Sequence, residues 1–187
     1  GATMKQTAAL MALASRPGML LLDPMSARSM IARASLYEER TSVTIAEELT
    51  RQIEVARVGG LAVVAVRGAT VFQADWIDAL MGAIDTDAVV DACADLAEDP
   101  TCTGVLFDLN CPGGTVAGCD EVSAAVAALA AAKPCRAIAH GMICSAAWFI
   151  ASHCEKVYAT ETAMVGSIGT LIPLYDDSKM FADMGVE

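Results

Sequence analysis

Basic residues are scarce in this sequence of 187 residues: Lys and Arg number 12 against 23 Asp and Glu, which gives a formal net charge of −11. A surface with this balance repels phosphate backbones, so no nucleic acid is expected as a partner. Aromatic residues make up only 5% of a chain that is 55% hydrophobic, so its core must consist of small and aliphatic side chains. This composition predicts one packed α/β or helical domain and excludes a disordered chain.

Long hydrophobic runs are also missing, so no membrane contact is expected. The apolar stretch 7–15 is broken by Arg16-Pro17-Gly18, and we interpret it as an amphipathic or docking arm and not as a targeting signal. No C-x-x-C pair occurs among the seven cysteines, at 93, 102, 111, 119, 135, 144 and 154. Their odd number and scatter predict buried, reduced thiols, and neither a metal nor a cofactor is expected.

Local signals divide the chain into three predicted parts. Asp23-Pro24 places an N-cap carboxylate before a proline at the first helical position, which predicts a helical arm within 1–39. The polar stretch 40–52 is predicted to be a linker. The main domain is expected over 53–187, where strand and helix patterns alternate.

This alternation predicts parallel strands joined by crossover helices, and therefore an α/β fold. It starts with a hairpin whose two strands, 53–58 and 61–67, flank a Gly-Gly turn. The other predicted strands or extended segments are 104–110, 135–140, 156–160 and 163–174. The predicted helices are 75–84, 86–99, 118–133, 145–153 and 176–184.

Two predicted strand ends carry the residues best suited to chemistry, because reactive groups in open α/β sheets gather at the carboxyl ends of strands. One strand leads into the Pro112-Gly113-Gly114 turn, and the other leads to Ser145. Glycines allow a turn to expose its N–H groups, and a helix that begins after Ser145 leaves its first N–H groups unpaired. Gly114 and Ala146 could then donate to an oxyanion beside the Ser145 hydroxyl. The structural alternative stays open: a simple turn, and small residues that only permit close packing.

A general base for Ser145 is harder to find within the chain. His140 and His153 are the only histidines, and neither is placed to face the serine hydroxyl, so both are interpreted as structural or surface residues. The four lysines stand at positions 5, 133, 156 and 179. Those at 133 and 156 lie at element ends exposed to solvent, and acidic neighbours around Lys179 favour its charged form. The residues alone therefore supply a nucleophile without a base.

Three ordered motifs resemble the signal-peptide-peptidase-A-like serine proteases. They are VLFDLNCPGGTVAG at 105–118, MICSAAWFIAS at 142–152 and AMVGSIGTL at 163–171. MLLLDPMSARSMIARA near the N-terminus and MFADMGVE at the C-terminus are similar to the phage branch of that family, the lambda-type head maturation proteases. The resemblance covers nearly the whole chain, and 40–52 is its least matched part.

This resemblance implies a ClpP/crotonase-like fold and a Ser-Lys endopeptidase that assembles into homo-oligomeric rings. It also implies cleavage of scaffold or portal proteins in the prohead, within the cytoplasm of a bacterial host. By motif match Ser145 is the nucleophile, Gly114 and Ala146 are the oxyanion donors, and Gly113 and Ser167 have supporting roles.

The sequence departs from the family pattern at three places. Asn110-Cys111 replaces the acid and hydroxyl residues before the proline, and Ala146-Ala147 replaces a frequent Gly-Gly pair. The family's general-base lysine is expected past Glu187, so we expect the protease domain to be truncated here. Two alternatives stay open: a catalytically incomplete inner-capsid or scaffold-binding module, and a crotonase-like acyl-CoA enzyme that would use the same oxyanion hole on a thioester.

Overall fold

This computed structural model describes five stretches of the chain: residues 53–75, 78–79, 81–170, 178–179 and 185. The helical arm expected over 1–39 and the linker expected over 40–52 lie outside the described residues, and so does most of the helix expected over 176–184. The division into arm, linker and protease domain stays a prediction.

Eight strands and three helices lie entirely within the described residues. The strands are β1 (Glu54–Val58), β2 (Leu61–Arg67), β3 (Thr70–Val71), β4 (Ile84–Asp85), β5 (Gly104–Cys111), β6 (Cys135–Cys144), β7 (Lys156–Ala159) and β8 (Met164–Gly166). The helices are α1 (Thr86–Glu98), α2 (Cys119–Ala132) and α3 (Trp148–Ala151), and a 3₁₀ turn over Ser145–Ala147 leads into α3.

The main sheet has the order β1-β2-β5-β6-β7, and β8 also pairs with β6 beyond the point where β7 ends. Only the β1–β2 hairpin is antiparallel, and every other pair in this sheet is parallel. Helix α1 precedes β5, and α2 connects β5 to β6, as parallel neighbours require. The expected α/β class of parallel strands with crossover helices is therefore confirmed.

The core lies on the face of the sheet that carries the helices. Along β5, Val105, Phe107 and Leu109 are at most 1% exposed, and the residues between them point to the other face. The two long helices bury residues at helical spacing against these strands: Val89, Cys93, Leu96, Val122, Val126 and Leu129. Alanine in the same helices and strands lets them pack closely, which explains how so few aromatic residues suffice.

The helix predicted over 75–84 is wrong at its end. Ile84 and Asp85 form β4, which pairs in parallel with β3, and the N–H of Ile84 donates to the carbonyl of Ala69 at 2.8 Å. Gly82 has a φ of 81°, a left-handed conformation that ends a helix. Among the described residues of this stretch, only 78–79 are helical.

The strand predicted over 135–140 is longer than expected, and two neighbouring elements are shorter. β6 continues to Cys144 because its last residues, from Met142 onward, pair with β8. The helix predicted over 145–153 consists of the 3₁₀ turn followed by α3, which ends at Ala151. Within the extended segment predicted over 163–174, only β8 is a strand among the described residues.

Candidate active site at the carboxyl ends of the strands

Ser145 occupies a sharp turn between a strand and a helix. β6 ends at Cys144, the 3₁₀ turn begins at Ser145, and the backbone of Ser145 has a φ of 49°. A non-glycine residue in this left-handed region costs about 1–3 kcal/mol, and such residues cluster at functional sites. The side chain is half-buried, and its hydroxyl donates to the carbonyl of Gly169 at 3.4 Å. The hydroxyl is therefore presented at the rim of the sheet instead of being packed inside it.

The Pro112-Gly113-Gly114 turn lies directly against Ser145. A Cβ atom added at Gly113 would lie 2.7 Å from the Cβ and 3.1 Å from the Oγ of Ser145, and 3.3 Å from the backbone N of Ala146. Gly113 also has a φ of 112°, which side chains rarely allow. The structure thus brings together three of the predicted site residues, Gly113, Ser145 and Ala146, and only glycine fits at the first of them.

Gly114 is held in place by strand β3. The N–H of Thr70 donates to the carbonyl of Gly113 at 2.9 Å, and the N–H of Thr115 donates to the carbonyl of Thr70 at 2.9 Å. A Cβ atom at Gly114 would lie 1.8 Å from that Thr70 oxygen. These bonds occupy the carbonyl of Gly113 and the N–H of Thr115, on either side of Gly114. The N–H of Gly114 itself donates no hydrogen bond within the described residues. The Ala146 N–H belongs to the first turn after β6, where helical partners are lacking.

Ser167 lies next to Ser145 in the sheet register. Cys144 at the end of β6 is paired with Gly166 at the end of β8, and the serine that follows each of them has a left-handed backbone, with φ of 49° and 51°. Trp148 ties the segments together by donating from Nε1 to the carbonyl of Gly166 at 3.3 Å. Ser167 itself is exposed. Its place beside Ser145 is clear, and its supporting role stays a prediction.

The two cysteines of this region are buried and protonated at neutral pH. Burial raises the pKa of Cys111 to about 11, and burial also raises the pKa of Cys144. Their side chains bond locally: Cys111 Sγ contacts the backbone of Gly113, and Cys144 Sγ lies 3.7 Å from the carbonyl of Met164. Because a nucleophilic cysteine needs its thiolate form, neither thiol competes well with the Ser145 hydroxyl.

Both histidines pair with residues other than Ser145. His140 Nδ1 lies 2.5 Å from Oδ1 of Asp108, whose other oxygen pairs with Arg67, on the sheet face opposite the helices. Burial raises the pKa of Asp108, but the hydrogen bonds and charges of Arg67 and His140 outweigh it, so this pKa lies below its usual value. His153 Nε2 lies 2.8 Å from the hydroxyl of Ser123 on α2.

Two of the lysines lie at the opposite end of the sheet from Ser145. Lys156 is paired with Arg136 near the start of β6, whereas Ser145 follows the end of that strand. At about 3.3 Å of rise per strand residue, this separation is roughly 25–30 Å. Lys133 precedes β6 and donates to the carbonyl of Asp99. Lys179 is exposed. Within the described residues, no lysine or histidine forms a hydrogen bond with Ser145.

Sequence reasoning missed Thr70 and the sulfur of Cys111, which hold the glycine turn. No local signal marks Thr70, because it lies far from the turn in sequence and meets it only through the pairing of β3 with Gly114. It also missed the left-handed conformation of Ser145. The signal for that was present: the small residues that follow it, Ala146 and Ala147, are buried and permit a sharp turn into the helix.

The described residues show neither a metal cluster nor a membrane-spanning helix. No group of three or more His, Cys, Asp or Glu side chains lies in a position to hold a metal ion there. None of the helices in this part of the chain has the length and hydropathy that a membrane crossing requires. All seven cysteines are free, and six of them are buried.

Comparison with known proteins gives matches to a peptidase family and to two phage proteins. Residues 127–187 match the model of Peptidase family S49. The capsid assembly protease C of Escherichia phage lambda is 30% identical over 168 residues, which cover 89% of this chain and 38% of that protein. The head-tail preconnector protein GP5 of Enterobacteria phage P21 is 31% identical over 130 residues, 70% of this chain and 26% of that protein. The chain thus spans well under half the length of either relative, and the resemblance stated above is confirmed.

Among solved structures, the chain is similar to a monofunctional enoyl-CoA isomerase from M. smegmatis. The sequence identity is 19%, the TM-score is 0.49, and the match covers 65% of this chain and 56% of the other. An enoyl-CoA hydratase/isomerase family member matches with 24% identity and a TM-score of 0.47, over 65% of this chain and 53% of the other.

Proposed function

Since this chain is a phage-type relative of peptidase family S49, we propose that it is the nucleophile-bearing part of a serine endopeptidase that acts in prohead maturation. The observation that carries the proposal is the close approach of Gly113 to Ser145 and Ala146: a Cβ atom at Gly113 would lie 2.7 Å from the Ser145 Cβ and 3.3 Å from the Ala146 backbone N. This close approach supports a site in which the Ser145 hydroxyl lies between two turns whose N–H groups donate to an oxyanion.

In the proposed reaction, the Ser145 hydroxyl attacks the carbonyl carbon of the scissile peptide bond. A bond forms from Oγ to that carbon, the hydroxyl proton passes to a general base, and the carbonyl oxygen becomes an oxyanion. The N–H groups of Gly114 and Ala146 donate to this oxyanion, an interaction that is stronger in the transition state than in the ground state. The C–N bond then breaks, the amine leaves with the proton from the base, and water hydrolyses the acyl-serine.

The general base in this proposal is a neutral lysine from residues that follow Glu187 in the full-length protein. A lysine becomes a base when a desolvated site lowers its pKa. Lys133 and Lys156 lie far from Ser145, and the histidines have other partners. Ser167, beside Ser145 in the register of β6 and β8, is suited to orient such an amine.

For the substrate we propose a scaffold or portal protein of the phage head, cleaved within a homo-oligomeric ring in the prohead. Two relatives support this assignment through their names, a capsid assembly protease and a head-tail preconnector protein. No charged side chain occurs in 111–119, which contains the glycine turn, or in 141–150, which contains Ser145. We therefore expect small, uncharged side chains beside the scissile bond, because a pocket without charge binds Lys or Arg poorly.

The test is cleavage of a co-expressed scaffold protein by the full-length protease, followed by mass spectrometry. Ser145→Ala should lower the rate by about 10⁶-fold, as loss of a nucleophile commonly does. The matched control is Cys144→Ala, which removes the neighbouring buried side chain and should keep cleavage within about tenfold. If Ser145→Ala cleaves normally and Cys144→Ala does not, the proposed nucleophile is wrong. A full-length protein that assembles but cleaves nothing would support the alternative of a scaffold-binding module.

The proposed origin of the base has its own test. The 187-residue chain and a version extended past Glu187 are assayed side by side on the same scaffold substrate. The shorter protein should show only a residual acceleration from its oxyanion hole, about 10³-fold over water, and the longer one should be fully active. Equal and Ser145-dependent cleavage by both would place the base inside the 187 residues.

A further inference from the structure

The sulfur of Cys111 hydrogen-bonds to the glycine turn from the side that faces the core. Its Sγ accepts the N–H of Gly113 at 3.4 Å and lies 3.5 Å from the carbonyl of Gly113, to which the thiol donates. Cys111 is the last residue of β5 and is fully buried, so its position is set by the packed strand. A thiol in this place holds both polar groups of one turn residue to the rigid sheet.

The backbone of Thr70 hydrogen-bonds to the same turn from the other side. Thr70 is 4% exposed, and its backbone accepts from Thr115 and donates to Gly113, one residue to either side of Gly114. The Thr70 N–H donates to the Gly113 carbonyl at 2.9 Å, and the Cys111 thiol donates to the same carbonyl at 3.5 Å. The two residues therefore form one network around the turn.

The Gly113 N–H, the Gly113 carbonyl and the Thr115 N–H are thus occupied, while the Gly114 N–H has no partner within the described residues. We propose that Cys111 and Thr70 are positioning residues, which fix the Gly113–Gly114 peptide so that the Gly114 N–H faces the oxyanion formed at Ser145. This inference rests on the proposed function, and neither side chain touches the substrate. The role is separate from packing, since a small rotation of this one peptide would misdirect the donor without unfolding the sheet.

The test compares Cys111→Ala, Cys111→Ser and the control Cys135→Ala in the full-length protease. Cys135 is equally buried but lies at the start of β6, at the other end of the sheet. Both alanine variants lose a buried thiol and should lose similar thermal stability. Cys111→Ala should also lower kcat by about 10- to 100-fold with KM within about twofold, the effect expected of a misplaced catalytic group. Cys111→Ser keeps a donor and an acceptor and should recover most of kcat.

The inference fails if Cys111→Ala loses no more kcat than Cys135→Ala, or if KM rises while kcat stays the same. It also fails if Cys111→Ser is as slow as Cys111→Ala. These results differ from a failure of the proposed function, in which cleavage would survive Ser145→Ala. With cleavage dependent on Ser145 and insensitive to Cys111, the endopeptidase would stand and the positioning network would not.

Discussion

Two pairs of glycines flank Ser145, and their surroundings differ completely. Side-chain atoms added at Gly113 and Gly114 would lie 2.7 Å from Ser145 and 1.8 Å from Thr70, well inside contact distance. At Gly166 and Gly169, on the β8 side, an added Cβ would meet nothing within 4 Å. The side of the site at Gly113 and Gly114, here called the built wall, is therefore closely packed. The side at Gly166 and Gly169, here called the open wall, has no close neighbours among the described residues. The built wall carries the proposed oxyanion donors, and the open wall carries the Gly169 carbonyl that accepts from the Ser145 hydroxyl.

The largest effect should come from adding a methyl group to the built wall, with the same addition to the open wall as the comparison. Gly113→Ala forces a methyl group against Ser145 and the Ala146 N–H, so kcat/KM of the full-length protease should fall by at least about 10²- to 10³-fold, comparable to losing an oxyanion donor. Gly169→Ala adds the same methyl group where no described residue lies within 4 Å, and its kcat/KM should stay within about threefold of the wild-type value. Circular dichroism and thermal unfolding check that both variants are folded. Similar activity losses in the two variants would remove the distinction between the walls.

The second effect concerns Asp108, which lies away from both walls. Asp108→Asn weakens the bonds to Arg67 and His140 and should lower the free energy of unfolding at pH 7 by about 1.5–3 kcal/mol, while kcat/KM stays unchanged. The pKa of Asp108 is lowered in the folded state, so its contribution is present above the unfolded-state value near 4 and is lost as pH falls through the folded value. The difference between wild type and Asp108→Asn should therefore shrink in acid.

Urea unfolding at several pH values measures this difference, with the exposed Asp91 of α1 changed to Asn as control. A loss of cleavage in folded Asp108→Asn protein would instead make the Asp108–His140 pair part of the catalytic site.

A third, smaller effect is expected on the open wall. Ser167→Ala should lower kcat about tenfold if its hydroxyl orients the base. Loss of a hydrogen bond to the neutral amine should also move the acid limb of the pH–rate profile to higher pH, since that limb reports the base in the enzyme–substrate complex. Ser152→Ala, which removes an exposed serine behind α3, is the control. An unchanged profile would leave Ser167 a structural residue.

The smallest effect is one of backbone strain. Ser167 is exposed and has a φ of 51°, so Ser167→Gly should be more stable than Ser167→Ala by about 1 kcal/mol. Differential scanning calorimetry of the two variants measures this. Equal melting temperatures would mean that the open wall relaxes and does not hold its strained conformation.

Local patterns were sufficient to predict much of the fold. The hairpin, β5, α1 and α2 follow from alternating or helical spacing of apolar residues, and their predicted bounds differ from the structure by at most a few residues. The helix over 75–84 could not be corrected from sequence, because the pairing of Ile84 with Thr70 is a tertiary contact that overrides helical propensity. The extension of β6 to Cys144 likewise depends on β8, which is formed by residues further along the chain.

The part of the candidate site that depends on strand ends was predictable from the sequence. The hydrogen bonds from residues distant in sequence that hold the glycine turn were not. The meeting of the Pro112-Gly113-Gly114 turn with Ser145 follows from two adjacent parallel strands that end at one edge. The hydrogen bonds from Thr70 and Cys111 to the turn do not follow from the strand order. They arise from the pairing of Thr70 with Gly114 and from a sulfur whose bonds no sequence motif reveals.

The most direct measurement is a structure of the full-length protein with a peptide boronate, which mimics the tetrahedral intermediate of the proposed reaction. We expect a covalent bond from boron to Ser145 Oγ, with one boronate oxygen about 2.7–3.1 Å from the backbone N atoms of both Gly114 and Ala146. A boronate attached to another residue, or an oxygen turned to solvent while the Gly114 N–H stays without a partner, would contradict the central claim that this turn and this serine form one catalytic site.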